Sequence, residues 1–285
     1  MELSPAEFRD IRKAVHELCG LAIAEDKQYL VKSRLEPVMQ RNGLASYAAL
    51  VQRMLQTDSS LLKDHVIEAI TTHETSFNRD GHPFEELRRR ILPELASRLL
   101  ERRSGGFSSS PSSRIWCAAV ATGQEAYSVG MAVVDFIRSR NSKELTARDF
   151  PILASDISGQ ALAIAEAGRY SLAEVDRGVA AEQRAKYFEP DQGKWSIDPA
   201  IRRMVEFRRL NLIQGFPGVG LFDLILCRNL LIYFDQPTRQ RLCRSLCAAL
   251  NPRGILIIGA AESLFGIADE LSLETLGKTV VYRKP

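Results

Sequence analysis

Four polar clusters interrupt apolar stretches in the second half of the chain, and each one follows a run that suits a buried strand. They are Thr122-Gly123-Gln124-Glu125, Ser155-Asp156, Asn211-Leu212 and Arg228-Asn229. In an open parallel sheet, ligands bind beyond the carboxyl ends of the strands, near the point where the strand order reverses. Helix N-caps also collect polar residues there, so each carboxylate alone suits a capping role as well as a ligand role. Four successive clusters nevertheless predict a binding site at one edge of a sheet.

The pair Arg228-Asn229 is the most unusual cluster, because it lies inside the run LFDLILCRNLLIYF at 221–234. A guanidinium seldom lies in such a run unless a specific partner requires it. One interpretation is that Arg228 binds the ligand or anchors the loop at the mouth of the sheet. The alternative is that it only forms a salt bridge with a nearby acid such as Asp223 or Asp235.

The first cluster restricts the chemistry of the ligand. It contains one glycine, Gly123, rather than the Gly-x-Gly-x-x-Gly pattern that lets a dinucleotide fold approach a pyrophosphate. Glu125 and Asp156 add negative charge beside this turn, which disfavours phosphate and suits a cation or the hydroxyl groups of a ribose. An adenosine that carries a sulfonium satisfies these conditions, and the residues therefore favour S-adenosylmethionine as the ligand.

Alternating strands and helices must position these clusters. Continuous apolar runs separated by helical patterns predict an α/β fold whose parallel sheet is covered on both faces and ends in an antiparallel edge strand. The predicted strands lie at 115–119, 152–156, 205–208, 222–227, 255–259 and 279–282. Residues 170–204 are polar and interrupt this rhythm, so we expect a small insertion there with a few helical turns and a hairpin.

The first ninety or so residues show helical spacing instead. Ser4 and Glu7 form a capping-box pattern at the start of the first helix. A long helix is expected from about Pro83 to Arg103, followed by a Ser-rich loop. We therefore predict a helical domain at 1–82, a connecting helix and Ser-rich loop at 83–113, and an α/β domain at 114–285 with an insertion at about 170–204.

Composition and charge exclude several classes of protein. A chain of 285 residues with 45% hydrophobic and 26% charged residues is typical of a globular protein, and a net charge of +3 does not by itself indicate nucleic-acid binding. The first residues lack the basic start and apolar core of a signal peptide, and no apolar run is long enough to span a bilayer. We expect a cytoplasmic protein that does not span a membrane.

The five cysteines do not indicate a metal site. None belongs to a Cys-x-x-Cys pair. Cys243 and Cys247 lie one helical turn apart, as in half of a zinc site, but no second pair of ligands stands near them. Buried thiols in a helix are the favoured interpretation, and no metal is expected.

Three motifs resemble the bacterial chemoreceptor glutamate methyltransferases of chemotaxis. They are TTHETSFNRD at 71–80, ATGQEAYS at 121–128 and CRNLLIYFD at 227–235. The resemblance extends from the N-terminal helices to Tyr282. It implies a helical N-terminal domain, a Rossmann-like S-adenosylmethionine methyltransferase fold and a small inserted β-subdomain. It also implies methyl transfer from S-adenosylmethionine to glutamate side-chain carboxylates on the cytoplasmic helical region of chemoreceptors, which leaves glutamate 5-O-methyl esters and S-adenosylhomocysteine.

Matched by motif position, the resemblance implies roles for individual residues. Arg79 and Tyr233 match the positions that handle the acceptor. The cofactor contacts match His73, Thr75, Arg79, Glu125, Asp156, Asn211, Leu212, Arg228 and Asn229.

Two residues depart from the family pattern. His73 stands where the family commonly has Asn, and histidine titrates near neutral pH. Gln124 stands where many relatives have Glu, whereas Glu125, which we assign to the ribose, is retained.

Two features concern the partner. Lys27, Lys32 and Arg34 lie close together on a predicted helix. From the residues alone a solvated basic face is the simpler interpretation, but a basic helix beside the active site would steer acidic receptor helices, so the resemblance favours substrate docking. The insertion is short between Phe188 and Val205. In this family a longer, glycine-containing turn there accompanies docking to a peptide at the receptor's C-terminal end, so we expect no such tether.

Two other functions compete with this interpretation. A nucleic-acid methyltransferase acting on adenine amino groups usually has Asn/Asp-Pro-Pro-Tyr after the fourth strand, whereas this chain has Arg228-Asn229-Leu230-Leu231. A non-catalytic module would bind the cofactor or the receptor as a sensor or scaffold, and the presence of Arg79 and Tyr233 argues against it. We expect no nucleic-acid partner.

Overall fold

The N-terminal part of the protein folds into helices because its apolar residues recur every three to four positions. The structure, a computed structural model, describes residues 2–105, 112–140 and 144–285. The first four helices are α1 (Pro5–Cys19), α2 (Gln28–Arg41), α3 (Tyr47–Met54) and α4 (Ser60–Ile70). The predicted capping box is confirmed, since the Ser4 hydroxyl accepts from Glu7 N–H and Glu7 accepts from Ser4 N–H. The apolar faces of these helices form a core of their own.

A longer helical stretch follows where the sequence predicts one. It consists of α5 (His82–Glu86), a π-helical turn (Leu87–Ile91) and α6 (Leu92–Ser104). Pro93 lacks the N–H that an uninterrupted α-helix would use, and the widened turn lies directly before it. The Ser-rich loop predicted after this helix lies largely at 106–111, outside the described residues.

The rest of the described chain alternates strands and helices, as its apolar runs predict. The strands are β1 (Ile115–Ala118), β2 (Ile152–Asp156), β3 (Arg169–Tyr170), β4 (Phe188–Asp191), β5 (Lys194–Ile197), β6 (Val205–Arg209), β7 (Phe222–Cys227), β8 (Leu250–Ile258), β9 (Ser272–Leu276) and β10 (Thr279–Arg283). The helices are α7 (Gln124–Arg140), α8 (Gly159–Ala167), α9 (Leu172–Asp176), α10 (Ala181–Tyr187), α11 (Pro199–Arg202) and α12 (Gln236–Ala248).

Seven strands form the main sheet in the order β6-β2-β1-β7-β8-β10-β9. The first five are parallel, and β10 runs antiparallel to both of its neighbours. From β1 the chain builds outward in one direction through β2 and β6 and then returns to β7, so the order reverses between β1 and β7. Each face of the sheet buries its own apolar cluster. The α/β architecture with a mixed sheet is therefore confirmed.

One detail of the sheet prediction is wrong. The last strand is antiparallel as expected, but it is not the edge strand, because β9 pairs outside it. The sequence of β9, Ser-Leu-Glu-Thr-Leu, is largely exposed and therefore lacks the continuous apolar run by which the other strands were predicted.

A second, three-stranded antiparallel sheet lies in the stretch for which the sequence predicts an insertion, with the order β3-β5-β4. Its hairpin turns through Gln192 and Gly193, which both have positive φ angles of 46° and 78°. Two such residues in succession are typical of the tight turns whose twist matches that of a β-hairpin.

The helical N-terminal part packs against segments that follow strands of the main sheet. Arg209 at the end of β6 donates to Asp64 on α4 at 2.9 Å, and the backbone N–H of Gln160 donates to Glu68 on the same helix at 3.1 Å. The N–H of Ala22 donates to the carbonyl of Tyr233 at 2.9 Å. These contacts place the helical part over the carboxyl edge of the sheet. Among the described residues, no helix has the length and apolar character needed to cross a membrane.

Candidate active site

A cleft of about 1150 Å³, counting its open mouth, lies at the carboxyl edge of the main sheet. Because the carboxyl ends of parallel strands meet at one edge, the four polar clusters predicted from the sequence converge here. The structure brings together all ten residues to which the resemblance assigns a cofactor or acceptor role. The cleft is lined by His73, Thr75, Arg79, Glu125, Asp156, Asn211, Leu212, Arg228, Asn229 and Tyr233, among others.

Asp156, the last residue of β2, shapes the turn that follows β1. One carboxylate oxygen accepts from the N–H of Ala121 at 2.8 Å, and the other accepts from the N–H of Ser158 at 2.9 Å. Burial raises the pKa of this carboxyl above its usual range. The carboxylate of Asp156 therefore holds two backbone N–H groups but does not cap α8, whose N-cap is Ser158. Asp156 also lines the cleft, where a carboxylate oxygen can accept from a ribose hydroxyl.

Arg228 lies at the centre of a buried ion cluster. Its guanidinium donates to Glu125 at 2.9 Å, to Asp80 at 2.7 Å and to the carbonyl of Arg79 at 2.9 Å. The exposed fraction of the Arg228 side chain is 1% and that of Glu125 is 10%, so neither charge is compensated by water. Burial raises the pKa of Glu125, although the Arg228 charge opposes that rise. The guanidinium thus joins the loops after β1 and β7 to the segment that carries Arg79.

The two acids named as alternative partners of Arg228 are engaged elsewhere. Asp223 accepts from Arg102 at 2.7 Å, and Asp235 lies 3.1 Å from His16. Arg228 therefore does form salt bridges, as the alternative predicted, but its partners are Glu125 and Asp80 rather than Asp223 or Asp235. The Nε of Arg228 is buried and has no hydrogen-bond partner among the described residues.

The segment from Thr71 to Asp80 forms one wall of the cleft and is fixed by the insertion. Phe77 is buried edge-on against Tyr170 and Phe188, with ring centroids 5.0 and 5.3 Å apart. A Cβ on Gly178 would come within 1.8 Å of the Phe77 carbonyl oxygen, so only glycine permits this approach. The wall that carries His73, Thr75 and Arg79 is therefore held in place from outside the cleft.

Asn211 contributes to the cleft chiefly by ordering its surroundings. Its side-chain amide donates to the carbonyl of Leu18 at 2.8 Å and accepts from the N–H of Ile213 at 3.3 Å. It thereby begins a short 3-10 turn (Leu212–Gln214) in which Leu212 is buried. Direct contacts of Asn211 and Leu212 with the cofactor remain predictions.

Tyr233 and Asn229 lie on the loop after β7. Asn229 has a left-handed backbone with φ 57°, and Tyr233 belongs to a 3-10 turn (Leu231–Tyr233). An isolated bridge between Leu21 and Phe234 joins this loop to the segment that follows α1. Sequence reasoning missed Cys19 and Leu21 as lining residues, because no local pattern shows that a segment so distant along the chain closes over the sheet.

The three basic residues predicted to dock the substrate do not line the cleft. Lys27 precedes α2 and lies 3.3 Å from Asp26. Arg34 donates to the carbonyls of Ile70 and Thr71 at 2.7 and 3.0 Å, so it fastens the end of α4. Lys32 is exposed. The docking role of these three residues remains a prediction, and Arg34 also stabilises the end of α4.

The groups that face the cleft fit S-adenosylmethionine. Buried carboxylates of Glu125 and Asp156 line the cleft and suit a cationic ligand with ribose hydroxyls. In the described part of the chain no group of three or more potential ligand side chains could hold a metal ion. Cys243 and Cys247 are buried thiols on α12.

The reversal of strand order beside a cleft with two buried carboxylates is the arrangement expected of a Rossmann-like S-adenosylmethionine-dependent methyltransferase, and the family match assigns the protein to that class. Residues 73–280 match the CheR methyltransferase, SAM binding domain, and residues 6–71 match the CheR methyltransferase, all-alpha domain. The chain belongs to the CheR methyltransferase family, and its cofactor is S-adenosylmethionine.

Curated relatives match almost the full length. The chain is 38% identical to chemotaxis protein methyltransferase 1 of Pseudomonas aeruginosa and 34% identical to chemotaxis protein methyltransferase Cher2 of Pseudomonas putida, with 99% of each chain covered in both comparisons. It is 30% identical to the chemotaxis protein methyltransferase of Salmonella typhimurium, covering 98% of this chain and 91% of that protein.

Proposed function

We propose that this protein methylates glutamate side-chain carboxylates on the cytoplasmic helical region of chemoreceptors, giving glutamate 5-O-methyl esters and S-adenosylhomocysteine. The observation that carries the proposal is that Arg79 and Tyr233, from two different loops, line the same cleft as the predicted cofactor residues. The names of the relatives support a role in chemotaxis.

The chemistry requires alignment more than acid–base assistance. When bound, S-adenosylmethionine supplies an electrophilic methyl group whose sulfonium leaves as the neutral thioether of S-adenosylhomocysteine. The acceptor glutamate is already anionic at neutral pH, so the protein needs no general base. Holding two reactants in line can lower a barrier by roughly 7–11 kcal/mol at best. The protein's task is therefore to orient the acceptor and to exclude water.

Arg79 is suited to orient the acceptor carboxylate. Its Nη1 donates to the carbonyl of Glu74 at 3.2 Å, and its backbone carbonyl accepts from Arg228, so the residue is anchored at both ends. The acceptor loses its negative charge as the ester forms, so a grip tight enough to favour the ionised acceptor would slow the reaction. We assign Arg79 a single aligning hydrogen bond and Tyr233 the placement of its hydroxyl or ring beside the transferring methyl group.

The partner surface extends from the cleft onto the helical N-terminal part. Lys27 immediately precedes α2 and Lys32 lies within it. The positive charge of these two residues suits acidic receptor helices. The turn between β4 and β5 contains only Gln192 and Gly193, and this short hairpin supports a reaction without a C-terminal peptide tether. The proposed site of action is the cytoplasm, where the receptor helices lie.

The two competing functions have less support. Leu230 and Leu231 are aliphatic and stand where an adenine methyltransferase usually has the Pro-Pro part of its Asn/Asp-Pro-Pro-Tyr turn, so that turn is absent here. A non-catalytic cofactor sensor would not need both an arginine and a tyrosine at the acceptor positions of the cleft.

The decisive experiment incubates receptor-containing membranes with the protein and S-adenosylmethionine and detects base-labile methyl esters on glutamates by mass spectrometry. We expect Arg79→Ala and Tyr233→Phe to lower turnover at saturating cofactor. Arg148→Ala is a matched control, because Arg148 is exposed before β2 at the opposite edge of the sheet. An absence of methyl esters on any receptor, or full turnover in both variants, would contradict the proposal.

A further inference from the structure

Glu262, in the loop after β8, ties together two loops at the mouth of the sheet. Its Oε2 accepts from the N–H of Gly259 at 2.7 Å and from the N–H of Asn229 at 3.0 Å. Its Oε1 accepts from the N–H of Ile232 at 3.2 Å. The carboxylate therefore holds backbone donors from the loop after β7 as well as from its own loop.

The geometry of the loop after β7 explains why such a contact matters. Asn229 has φ 57°, in the left-handed region that costs most residues other than glycine about 1–2 kcal/mol and that asparagine adopts more readily than most. Its N–H and that of Ile232 both point to Glu262, so the carboxylate spans the start of the loop and the 3-10 turn that contains Tyr233. Hydrogen bonds from N–H groups to an ionised carboxylate are about twice as strong as neutral ones.

The space around the carboxylate is matched to it by a glycine. A Cβ added to Gly259 would lie 2.7 Å from Glu262 Oε2 and 2.8 Å from both the backbone N and the side-chain Nδ2 of Asn229. These distances are shorter than van der Waals contact, so any side chain at position 259 would displace Glu262 or Asn229.

A simpler interpretation is that Glu262 only closes its own turn, since its N–H donates to the carbonyl of Gly259 at 2.9 Å. That turn accounts for the bond to Gly259 but not for those to Asn229 and Ile232. Glu262 is not among the residues that line the cleft.

We propose that Glu262 is a positioning residue that fixes the backbone from Asn229 to Tyr233, and thereby sets both a cofactor contact and the tyrosine on the acceptor side. The tyrosine half of this inference rests on the proposed function, whereas the cofactor half rests on the family's cofactor and on the predicted contact of Asn229 with it. Gly259 is part of the same arrangement, because its lack of a side chain leaves the space that the Glu262 carboxylate occupies.

The test compares Glu262→Gln with Glu270→Gln, a matched change at an exposed glutamate in the following segment. Calorimetry with S-adenosylhomocysteine measures cofactor affinity, and thermal unfolding reports folding. We expect Glu262→Gln to weaken binding about tenfold, because the amide cannot reproduce charge-assisted bonds to three donors, while Glu270→Gln changes affinity less than twofold. Glu262→Asp, which keeps the charge, should recover part of the affinity, a result that a merely structural role would not give.

If Glu262→Gln proves unstable, a second variant, Gly259→Ala, can be used to test the same proposal. Gly259→Ala keeps the carboxylate but pushes it from its place, so it too should weaken S-adenosylhomocysteine binding. An affinity within twofold of wild type in either folded variant would overturn the proposal. Because the calorimetric readout needs no receptor, failure here is distinguishable from failure to methylate glutamate, which would overturn the proposed function alone.

Discussion

The guanidinium of Arg228 and the carboxylate of Glu125 lie 2.9 Å apart, at the point where the strand order of the sheet reverses. Arg228 follows β7 and Glu125 lies in the first turn of α7, after β1, so the pair links the two strands between which the order reverses. Removing one partner of a buried pair leaves an uncompensated charge, which is far more costly than the pair itself. The cleft therefore depends on both residues even before any ligand binds.

The first prediction concerns the pH dependence of cofactor binding. Burial raises the pKa of Glu125, so its carboxylate becomes protonated at a higher pH than an ordinary glutamate with a pKa near 4.3. The ionised form supplies the acceptor and the negative charge, so affinity should be present above the raised pKa and fall as the pH drops through it. Calorimetry with S-adenosylmethionine from neutral to acidic pH measures this change.

The matched variants are Glu125→Gln and Glu182→Gln, the latter at an exposed glutamate on α10. Glu125→Gln should bind more weakly at neutral pH and lose the part of the pH dependence that Glu125 contributes, whereas Glu182→Gln should behave as wild type. An unchanged pH profile in Glu125→Gln would contradict the assignment.

A second prediction concerns the turn after β1. Gly123 has φ 92°, and a Cβ there would lie 2.7 Å from the Ala165 side chain and 3.3 Å from the Tyr170 hydroxyl. Gly123→Ala should therefore lower the free energy of unfolding by more than the conformational penalty of about 1–2 kcal/mol. Gly43→Ala has a similar backbone at φ 65° with nothing within 4 Å, so it should show the penalty alone. Equal losses in chemical denaturation would show that the contact with α8 is unimportant.

The convergence of the site could be predicted because its signals are local. Each polar cluster follows an apolar run, and parallel strands bring their carboxyl ends to one edge without further information. Arg228-Asn229 and Ser155-Asp156 thus meet although they are far apart in sequence. The positions of the domain boundaries stay a prediction, since the sheets and helices described here do not fix where one domain ends.

Other features could not be read from the sequence because they depend on long-range packing. The exposed strand β9 has no apolar pattern, and its pairing beyond β10 appears only in the folded sheet. Leu21 reaches the cleft only because the helical part covers the sheet edge. The carboxylate of Glu262 accepts from backbone N–H groups of another loop. Because almost every residue has a backbone N–H, the sequence does not show which of them will meet a carboxylate.

A third prediction concerns the contact between α4 and β6. Hydrogen bonding by Arg209 lowers the pKa of Asp64, so this pair stabilises the fold above the usual Asp pKa of about 3.9 and the contribution is lost as the pH falls through the lowered value. Both side chains are about 40% exposed (44% and 39%), so the contribution should be small, roughly 0.2–1 kcal/mol.

Asp64→Asn tests this contact, with Glu206→Gln as the control because Glu206 pairs with Arg208 within β6 itself. Urea denaturation at neutral and acidic pH should show that Asp64→Asn is less stable than wild type at neutral pH and that the difference narrows on acidification. A difference that is independent of pH would instead point to lost packing.

The last prediction separates substrate docking from a solvated basic surface. Lys32 is exposed on α2, whereas Arg34 is occupied by the carbonyls at the end of α4, so Lys32 can be changed without loosening the wall of the cleft. Lys32→Glu should raise the KM for receptor several-fold at low salt and leave cofactor affinity unchanged, because it reverses one charge facing acidic helices. Raising the ionic strength should reduce the difference in KM between the variant and wild type, since exposed charges are screened over about 8–10 Å.

Lys278→Glu, at an exposed lysine between β9 and β10, makes the same charge change elsewhere and should leave the KM within about twofold. If both reversals raised the KM equally, overall charge rather than the α2 surface would govern the encounter.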